Sequence, residues 1–305
     1  MKNNPAPNFF IPGAPKCGTT SLSNWLADNP YVYFPSIKEP NFFNSDLPRA
    51  GIKRKSQYLR IFWEAKDEHQ AIGEASVWYL CSRVAVPRIE EEISCPRYVV
   101  CIRNPVDMAY SLHGQNLKYG AENINDFEEA WRAQKDRGKG RRIPFSCHIP
   151  DSLIYGQACS LGTQLKQLLQ RVPRERVLIV FLEDMKHDAR EQYTRVLDFL
   201  GIPDDGREDF PAVNQASGAR WPILAKTLGA LLKLRRHSFP YLGTGVTRSL
   251  LNINKTPDNR RGMSVDMRNE LEEYFLEEIQ AIEKITGRDL SHWRYSATKK
   301  CTLSE

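Results

Sequence analysis

A short apolar segment near the start of the chain runs into a glycine-containing turn and then into a helix-like pattern. Phe9, Phe10 and Ile11 form the apolar run, and Gly13 and Gly18 bracket the turn. A buried strand that ends in a tight turn before a helix is typical of a parallel sheet with crossover helices. The free amides and the positive dipole end of that helix would face the turn. The sequence therefore predicts a binding site for an anionic group there.

The two glycines have the spacing of the nucleotide-binding P-loop, but the lysine is in a different place. In the P-loop a lysine follows the second glycine, whereas here Thr19 holds that position and Lys16 lies inside the turn. The segment also lacks an obvious carboxylate for magnesium, so a nucleoside triphosphatase is disfavoured. A lysine within the turn suits a shorter anion, such as a single phosphate that carries a leaving group.

Two segments resemble sulfotransferases that use 3′-phosphoadenosine 5′-phosphosulfate (PAPS). Residues 15–22, PKCGTTSL, resemble the family's 5′-phosphosulfate loop. Residues 97–111, RYVVCIRNPVDMAYS, resemble its 3′-phosphate segment, in which a strand delivers an arginine and a serine follows on the next helix. An arginine fork with a hydroxyl is a good phosphate clamp. The resemblance implies that the cofactor is bound by Lys16, Cys17, Gly18, Thr19, Thr20, Ser21, Arg103 and Ser111.

Residues 36–43 resemble the part of the glycan-modifying sulfotransferases that carries the general base. The match places Glu39 at the position of the base, with Asn41 where relatives often have histidine. A base is needed because a neutral hydroxyl or amine attacks sulfur poorly unless its proton is removed as the bond forms. The alternative interpretation is that Lys38 and Glu39 form a solvated surface pair.

Residues 71–80 resemble the strand and turn that line the acceptor pocket of the family. Ala75 stands where the glycan enzymes tend to carry lysine, which favours an acceptor that is not highly anionic. The aromatic residues of this segment either stack on the acceptor or pack in the core. For His113 the alternative is a buried, hydrogen-bonded histidine. The predicted acceptor contacts are Asn41, Phe42, Trp78, Tyr79, His113 and His148.

The alternation of strands and helices is lost after residue 205. Relatives close a basic, glycine-containing late loop over the 3′-phosphate, and the resemblance implies that role for Lys255, Arg260, Arg261 and Gly262. The basic, glycine-broken run at residues 137–142 predicts a surface loop. A last helix is predicted from an N-cap at Ser264 to a stop at Gly287, with Leu271, Phe275, Ile279, Ile282 and Ile285 on its buried face.

Length and composition favour one α/β domain over residues 1–305. The 305 residues, 41% of them apolar, suffice for a P-loop-like, three-layer fold in which helices flank a central parallel sheet. Residues 205–305 are expected to close over the cofactor and the acceptor. The net charge of +6 suits a polyanionic cofactor and does not require nucleic acid. The seven cysteines are dispersed, which predicts reduced thiols without a zinc site. Because neither a secretory segment nor an apolar span is evident, we expect a cytoplasmic protein without a membrane anchor.

The predicted activity is transfer of a sulfuryl group from PAPS to a hydroxyl or amine of a small-molecule acceptor, such as a natural product. Lys16 would stabilise charge on the sulfuryl and phosphate oxygens, Glu39 would act as the base, and PAP, the desulfated cofactor, would leave. No metal is expected, and the protein would be a monomer or homodimer. Two alternatives are a P-loop type nucleotide kinase and a non-catalytic relative that binds PAPS or a sulfated ligand.

Overall fold

A computed structural model describes residues 5–47, 51–211, 217–219, 255–257 and 262–294. Backbone contacts divide the chain into two compact units. Of the described residues, the first unit holds those up to 103 together with 168–211. The second holds 104–167 and the described residues beyond 211. The single domain over residues 1–305 stays a prediction.

The first unit is built on a five-stranded sheet in which every pair of neighbours is parallel. Its strands are β1 Phe9–Phe10, β2 Val32–Tyr33, β3 Ala71–Glu74, β4 Arg97–Ile102 and β5 Val177–Phe181. Their order across the sheet is β2-β3-β1-β4-β5. The predicted fold class, an α/β fold with a central parallel sheet flanked by helices, is confirmed.

The helices of the described residues are α1 Thr19–Ala27, α2 Lys55–Arg60, α3 Ala85–Glu92, α4 Pro105–Lys118, α5 Phe127–Arg137, α6 Tyr155–Ala158, α7 Leu161–Leu169, α8 Leu182–His187, α9 Ala189–Leu200, α10 Val265–Tyr274 and α11 Leu276–Thr286. The first unit contains α1, α2, α3, α8 and α9, and α7 runs across the boundary. The second unit contains the other helices and a short antiparallel pair, β6 Ser217–Ala219 and β7 Lys255–Pro257. Within the described part of the chain, no helix is long and apolar enough to cross a membrane.

The core of the first unit lies on both faces of the sheet. All five residues from Tyr98 to Ile102 are fully buried, as expected for a parallel strand covered on both sides. Gly73 in β3 is required by close packing, because a Cβ there would lie 2.5 Å from ring carbons of Phe9 and Phe34. The apolar runs of the sequence therefore become the central strands, whose carboxyl ends carry the loops described below.

The predicted last helix is two helices. Ser264 caps α10 by accepting a hydrogen bond from the amide of Met267, and α11 ends at Gly287, which has a φ of 69°. The helix is interrupted at Phe275, which separates α10 from α11. The buried stripe is confirmed at Leu271, Phe275, Ile279 and Ile282, whereas Ile285 is only half-buried.

The prediction of a surface loop over residues 137–142 is wrong for Arg137. This residue ends α5 and is buried, and its Nη2 lies 2.7 Å from Oε1 of Glu122. Tyr155 donates a hydrogen bond of 2.7 Å to the other oxygen of Glu122. Burial raises the pKa of Glu122, but hydrogen bonds, above all that from Arg137, outweigh it, so the pKa lies below its usual value. Only residues 138–142 form the exposed turn that the glycines predict.

Candidate active site

The predicted phosphate loop, residues 13–18, connects β1 to α1. Its first part is fixed to the neighbouring strand β4: the amide of Ala14 donates to the carbonyl of Cys101, and the amide of Cys101 donates to the carbonyl of Gly13. Gly18 at the end of the loop has a φ of 88°, and a Cβ there would lie 2.9 Å from Cδ1 of Leu182. Both constraints favour glycine at this position.

The N-terminus of α1 opens into this loop. Gly18 offers no side chain as a cap, and the first turn of the helix contains no acidic residue. Helix geometry leaves the first amides without an acceptor inside the helix, and the helix dipole adds partial positive charge. Thr19 and Ser21 are buried, and Thr20 is half-buried. These features suit a bound anion.

The structure brings two of the predicted cationic residues together. Lys16 lies in the loop with a φ of 66°, a left-handed conformation that is uncommon for a residue with a side chain. Its backbone carbonyl accepts a hydrogen bond of 3.3 Å from Nη1 of Arg103, the residue that follows β4. Ser111 lies on α4, in the second unit, and its binding to the 3′-phosphate stays a prediction.

Cys17 is a fully buried thiol inside the loop. Its Sγ donates to the carbonyl of Pro15 at 3.5 Å. Burial raises the pKa of Cys17 to about 12, although the charges of Arg103 and Lys16 act in the opposite direction. A raised pKa and full burial favour a neutral thiol that fills space beside the loop.

Lys38 is a candidate residue that sequence reasoning missed. Its Nζ donates a hydrogen bond of 2.6 Å to Oγ1 of Thr20 in the first turn of α1. From the sequence, Lys38 is expected only as a possible member of a surface pair with Glu39. The sequence nevertheless contained a clue. If the segment after β2 places Glu39 near the phosphate loop, it also places the adjacent residue Lys38 there.

The predicted base lies on a strained backbone segment. Glu39 and Asn41 have φ values of 54° and 50°, so two of three consecutive residues are left-handed. The buried side-chain amide of Asn41 donates to the carbonyl of Glu39, a local hydrogen bond that supports this conformation. Asn41 therefore shapes the backbone of the candidate base, and its contact with an acceptor stays a prediction.

A buried carboxyl is hydrogen-bonded through Tyr79 to the segment that carries the candidate base, and sequence reasoning missed it as well. Glu74 ends β3, is fully buried, and accepts hydrogen bonds of 3.0 Å from the hydroxyls of Tyr58 and Tyr79. Burial raises its pKa to about 7, against the lowering effect of hydrogen bonds from Ser76, Tyr58 and Tyr79; the charge of Glu39 raises it further.

The predicted aromatic contacts of the acceptor are packed residues in this structure. Phe42 is buried and stacks on Tyr58, with ring centroids 4.4 Å apart. Trp78 is buried, and Tyr79 is fully buried with its hydroxyl bonded to Glu74. Most of the surface of these side chains is thus buried by core packing, which is the alternative that the sequence left open. Their contact with an acceptor stays a prediction.

The remaining predicted site residues belong to the second unit. His113 is fully buried, and its Nε2 lies 2.9 Å from the carbonyl of Ile124, which is the environment of a structural histidine. His148 is half-buried. Lys255 begins β7, and Gly262 is exposed. Arg260 and Arg261 lie outside the described residues.

Fold and site together define an α/β protein with a candidate phosphate-binding loop. A parallel sheet delivers the loop from its first strand, a helix begins there without a side-chain cap, and an arginine arrives from the neighbouring strand. The chain belongs to the sulfotransferase domain family, whose model matches residues 6–293.

Similar proteins agree with this assignment. The crystal structure of a sulfotransferase from Alicyclobacillus acidocaldarius is 25% identical and has a TM-score of 0.71, with 95% of this chain and 99% of that chain covered. The mouse heparan sulfate glucosamine 3-O-sulfotransferase 3A1 is 26% identical over 84% of this chain and 61% of its own length. The bovine bifunctional heparan sulfate N-deacetylase/N-sulfotransferase 2 is 25% identical over 64% of this chain and 22% of its own length. The chain thus spans less than two thirds of these two relatives.

Proposed function

We propose that this chain is a PAPS-dependent sulfotransferase that transfers a sulfuryl group to a hydroxyl or amine. The observation that carries the proposal is the contact of Arg103 with the carbonyl of Lys16. This contact joins the two predicted cofactor segments, which lie far apart in the sequence, beyond the carboxyl ends of the neighbouring strands β1 and β4. In open α/β sheets, ligands bind beyond the carboxyl ends of the strands, which is where both residues lie.

In this proposal the chain binds the cofactor through the negative charges of its phosphate and phosphosulfate groups. The 5′-phosphosulfate lies on the amides at the start of α1, beside Lys16 and the hydroxyls of Thr19, Thr20 and Ser21. Arg103 binds the 3′-phosphate, because a guanidinium matches a phosphate with two parallel hydrogen bonds. Lys38, through its contact with Thr20, adds a second cation near the phosphosulfate. Cys17 contributes shape only.

The transfer is an in-line displacement at sulfur. The acceptor oxygen or nitrogen bonds to sulfur as the bond from sulfur to the phosphate oxygen breaks, and PAP leaves with that electron pair. Glu39 takes the acceptor proton. Lys16 and the loop amides stabilise the charge that grows on the sulfuryl and phosphate oxygens. Each step uses groups of the chain and the cofactor, so no metal is required.

The acceptor that we propose is a small molecule. Ala75 follows Glu74 where the glycan enzymes tend to carry a lysine, so the attraction to a highly anionic polysaccharide is reduced. The names of two relatives above refer to heparan sulfate, which makes a sulfated glycan the natural comparison in an acceptor panel. A cytoplasmic location and a monomeric or homodimeric state accompany this proposal as predictions.

Binding and transfer assays test the proposal separately. PAP should raise the melting temperature of the protein, whereas ATP with magnesium should raise it less at the same concentration. Transfer is then measured with radiolabelled PAPS against a panel of small phenols, alcohols and amines, with heparan sulfate fragments included. A preference for ATP with magnesium would favour the kinase. PAP binding without transfer to any acceptor would favour the non-catalytic relative.

A further inference from the structure

Glu39 lies on a segment whose backbone is hydrogen-bonded to side chains that follow strand β3. The amide of Asn41 donates to Oγ of Ser76 at 3.1 Å. The amides of Phe42 and Phe43 both donate to the hydroxyl oxygen of Tyr79, at 2.9 and 3.3 Å. Three consecutive backbone amides thus end on two hydroxyls that follow β3.

The hydrogen of the Tyr79 hydroxyl has a defined direction. Since its oxygen accepts from two amides, its own hydrogen is directed to Oε2 of Glu74, 3.0 Å away. Tyr58 donates to the same oxygen at 3.0 Å. The fully buried carboxyl of Glu74 is therefore the final acceptor of the hydrogen bonds that begin at the amides of Phe42 and Phe43 and pass through Tyr79.

The opposite side of the same segment is held by α3. Nη1 of Arg88 donates to the carbonyls of Phe42 and Phe43, each at 3.2 Å, and its guanidinium lies over both rings. Amides and carbonyls of the segment are thus fixed from two directions. Among the described residues, Oε1 of Glu74 is buried without a hydrogen-bond partner, so the network holds the segment through Oε2 alone.

We propose that Glu74 is the positioning residue of Glu39: through Tyr79 it fixes the segment that carries the base. This inference rests on the proposed function for its catalytic consequence. The charge of Glu39 in turn favours the protonated form of Glu74 and raises its pKa. Glu74 does not touch the reacting atoms.

The charged and titratable groups around Glu74 are few, and each has a defined place. Tyr58 on α2 and Tyr79 after β3 donate hydrogen bonds to Glu74. Glu39 lies on the segment after β2, and its charge raises the pKa of Glu74. Arg88 and Glu92 of α3 pair with each other at 3.3 Å, beside Phe42 and Phe43. Of these groups, Glu39 and Glu74 are the pair that the experiment must separate.

A carboxyl titration tests the proximity of Glu39 and Glu74 without cofactor or acceptor. The full chain is labelled with ¹³C at the glutamate carboxyls, and the pKa values of Glu39 and Glu74 are measured by NMR, with the signals assigned from Glu39→Gln and Glu74→Gln. We expect Glu39→Gln to lower the pKa of Glu74, because the charge of Glu39 is removed. An unchanged pKa of Glu74 overturns the proximity of the two carboxyls on which the proposal depends. Glu91→Gln, an exposed change on α3, is the control and should leave both values unchanged.

Turnover tests the positioning. PAP release from PAPS, with water or an acceptor from the panel, is measured for Glu74→Gln and for Tyr79→Phe, which removes only the hydroxyl link. We expect kcat to fall by about 10-fold or more in both, because geometry at the base is lost while the cofactor loop is intact. The Kd of PAP should stay within about 2-fold, since neither residue binds the cofactor. Unchanged kcat in both variants overturns the positioning role. If the wild type fails to bind PAP, the proposed function fails, and the NMR titration still decides whether Glu39 and Glu74 lie close together.

Discussion

Lys38 donates a hydrogen bond from Nζ to Oγ1 of Thr20, and this contact joins the segment of the candidate base to the first turn of α1. Glu39 is the next residue along the chain. The candidate cation for the phosphosulfate and the candidate base thus lie side by side on one segment. In the proposed function, the same short piece of backbone, residues 38–43, would position both the base and the leaving group.

Removal of the Lys38 ammonium should weaken the cofactor complex. We expect Lys38→Met to lower kcat/KM for PAPS by about 10-fold or more, the size of a lost hydrogen bond to a charged group. The measurement is initial rate against PAPS concentration. Lys66→Met, an exposed lysine that pairs with Glu68, is the matched control and should stay near the wild type. Equal values for the two variants would show that Lys38 does not face the phosphosulfate.

Lys16 should matter more for turnover than for binding. Its ammonium is expected to stabilise charge that grows during transfer, so Lys16→Ala should lower kcat by about 100-fold or more. The Kd of PAP, measured by calorimetry, should rise much less. A variant with normal kcat and weak PAP binding would assign Lys16 to ground-state binding instead.

Arg103 should matter chiefly for the 3′-phosphate. We expect Arg103→Ala to weaken PAP by about 10-fold or more, because a charge-assisted, two-point contact is lost. The affinity for 5′-AMP, which lacks the 3′-phosphate, should change little and serves as the internal control. If both nucleotides weaken equally, Arg103 acts through the Lys16 carbonyl and the shape of the loop.

The strand, turn and helix of the candidate cofactor loop were predictable from the sequence because its parts are contiguous. Glycine, lysine and hydroxyl residues follow one strand directly, and the apolar run before the glycine turn identifies that strand. Arg103 was predictable because it follows an unbroken apolar strand. Lys38 was not, since its direction depends on how the segment after β2 returns to α1. The burial of Glu74 and Arg137 was not predicted, for a related reason. Each is a charged residue whose partners lie elsewhere in the chain, and no periodicity of the sequence marks a buried charge.

The buried pair of Glu122 and Arg137 should be sensitive to removal of one partner. Arg137→Met leaves the Glu122 carboxylate buried without its cation, and we expect a loss of about 3 to 5 kcal/mol in the free energy of unfolding, measured with urea. The double variant Glu122→Leu with Arg137→Met should recover part of that loss. Arg141→Met, which removes an exposed pair with Asp136, should cost less than about 1 kcal/mol. A small effect of Arg137→Met would mean that water reaches the pair.

Glu74 should make stability depend on pH near neutrality. Its pKa is raised from 4.5 to about 7 in the folded protein, so the folded state binds this proton more tightly than the unfolded chain does. The contribution of Glu74 to the free energy of unfolding is therefore largest below pH 4.5 and falls as pH rises through 7, by about 3 kcal/mol in total. Glu74→Gln lacks this dependence. Urea unfolding of both proteins at pH 5 and pH 8 should thus show the difference between them shifting towards the variant by a few kcal/mol at the higher pH. The carboxylate of Glu122, whose lowered pKa gives the opposite dependence at acidic pH, is present in both proteins and cancels in the comparison. A constant difference would mean that Glu74 stays ionised in the folded protein over this range, and that its hydroxyl donors fully offset the cost of burial.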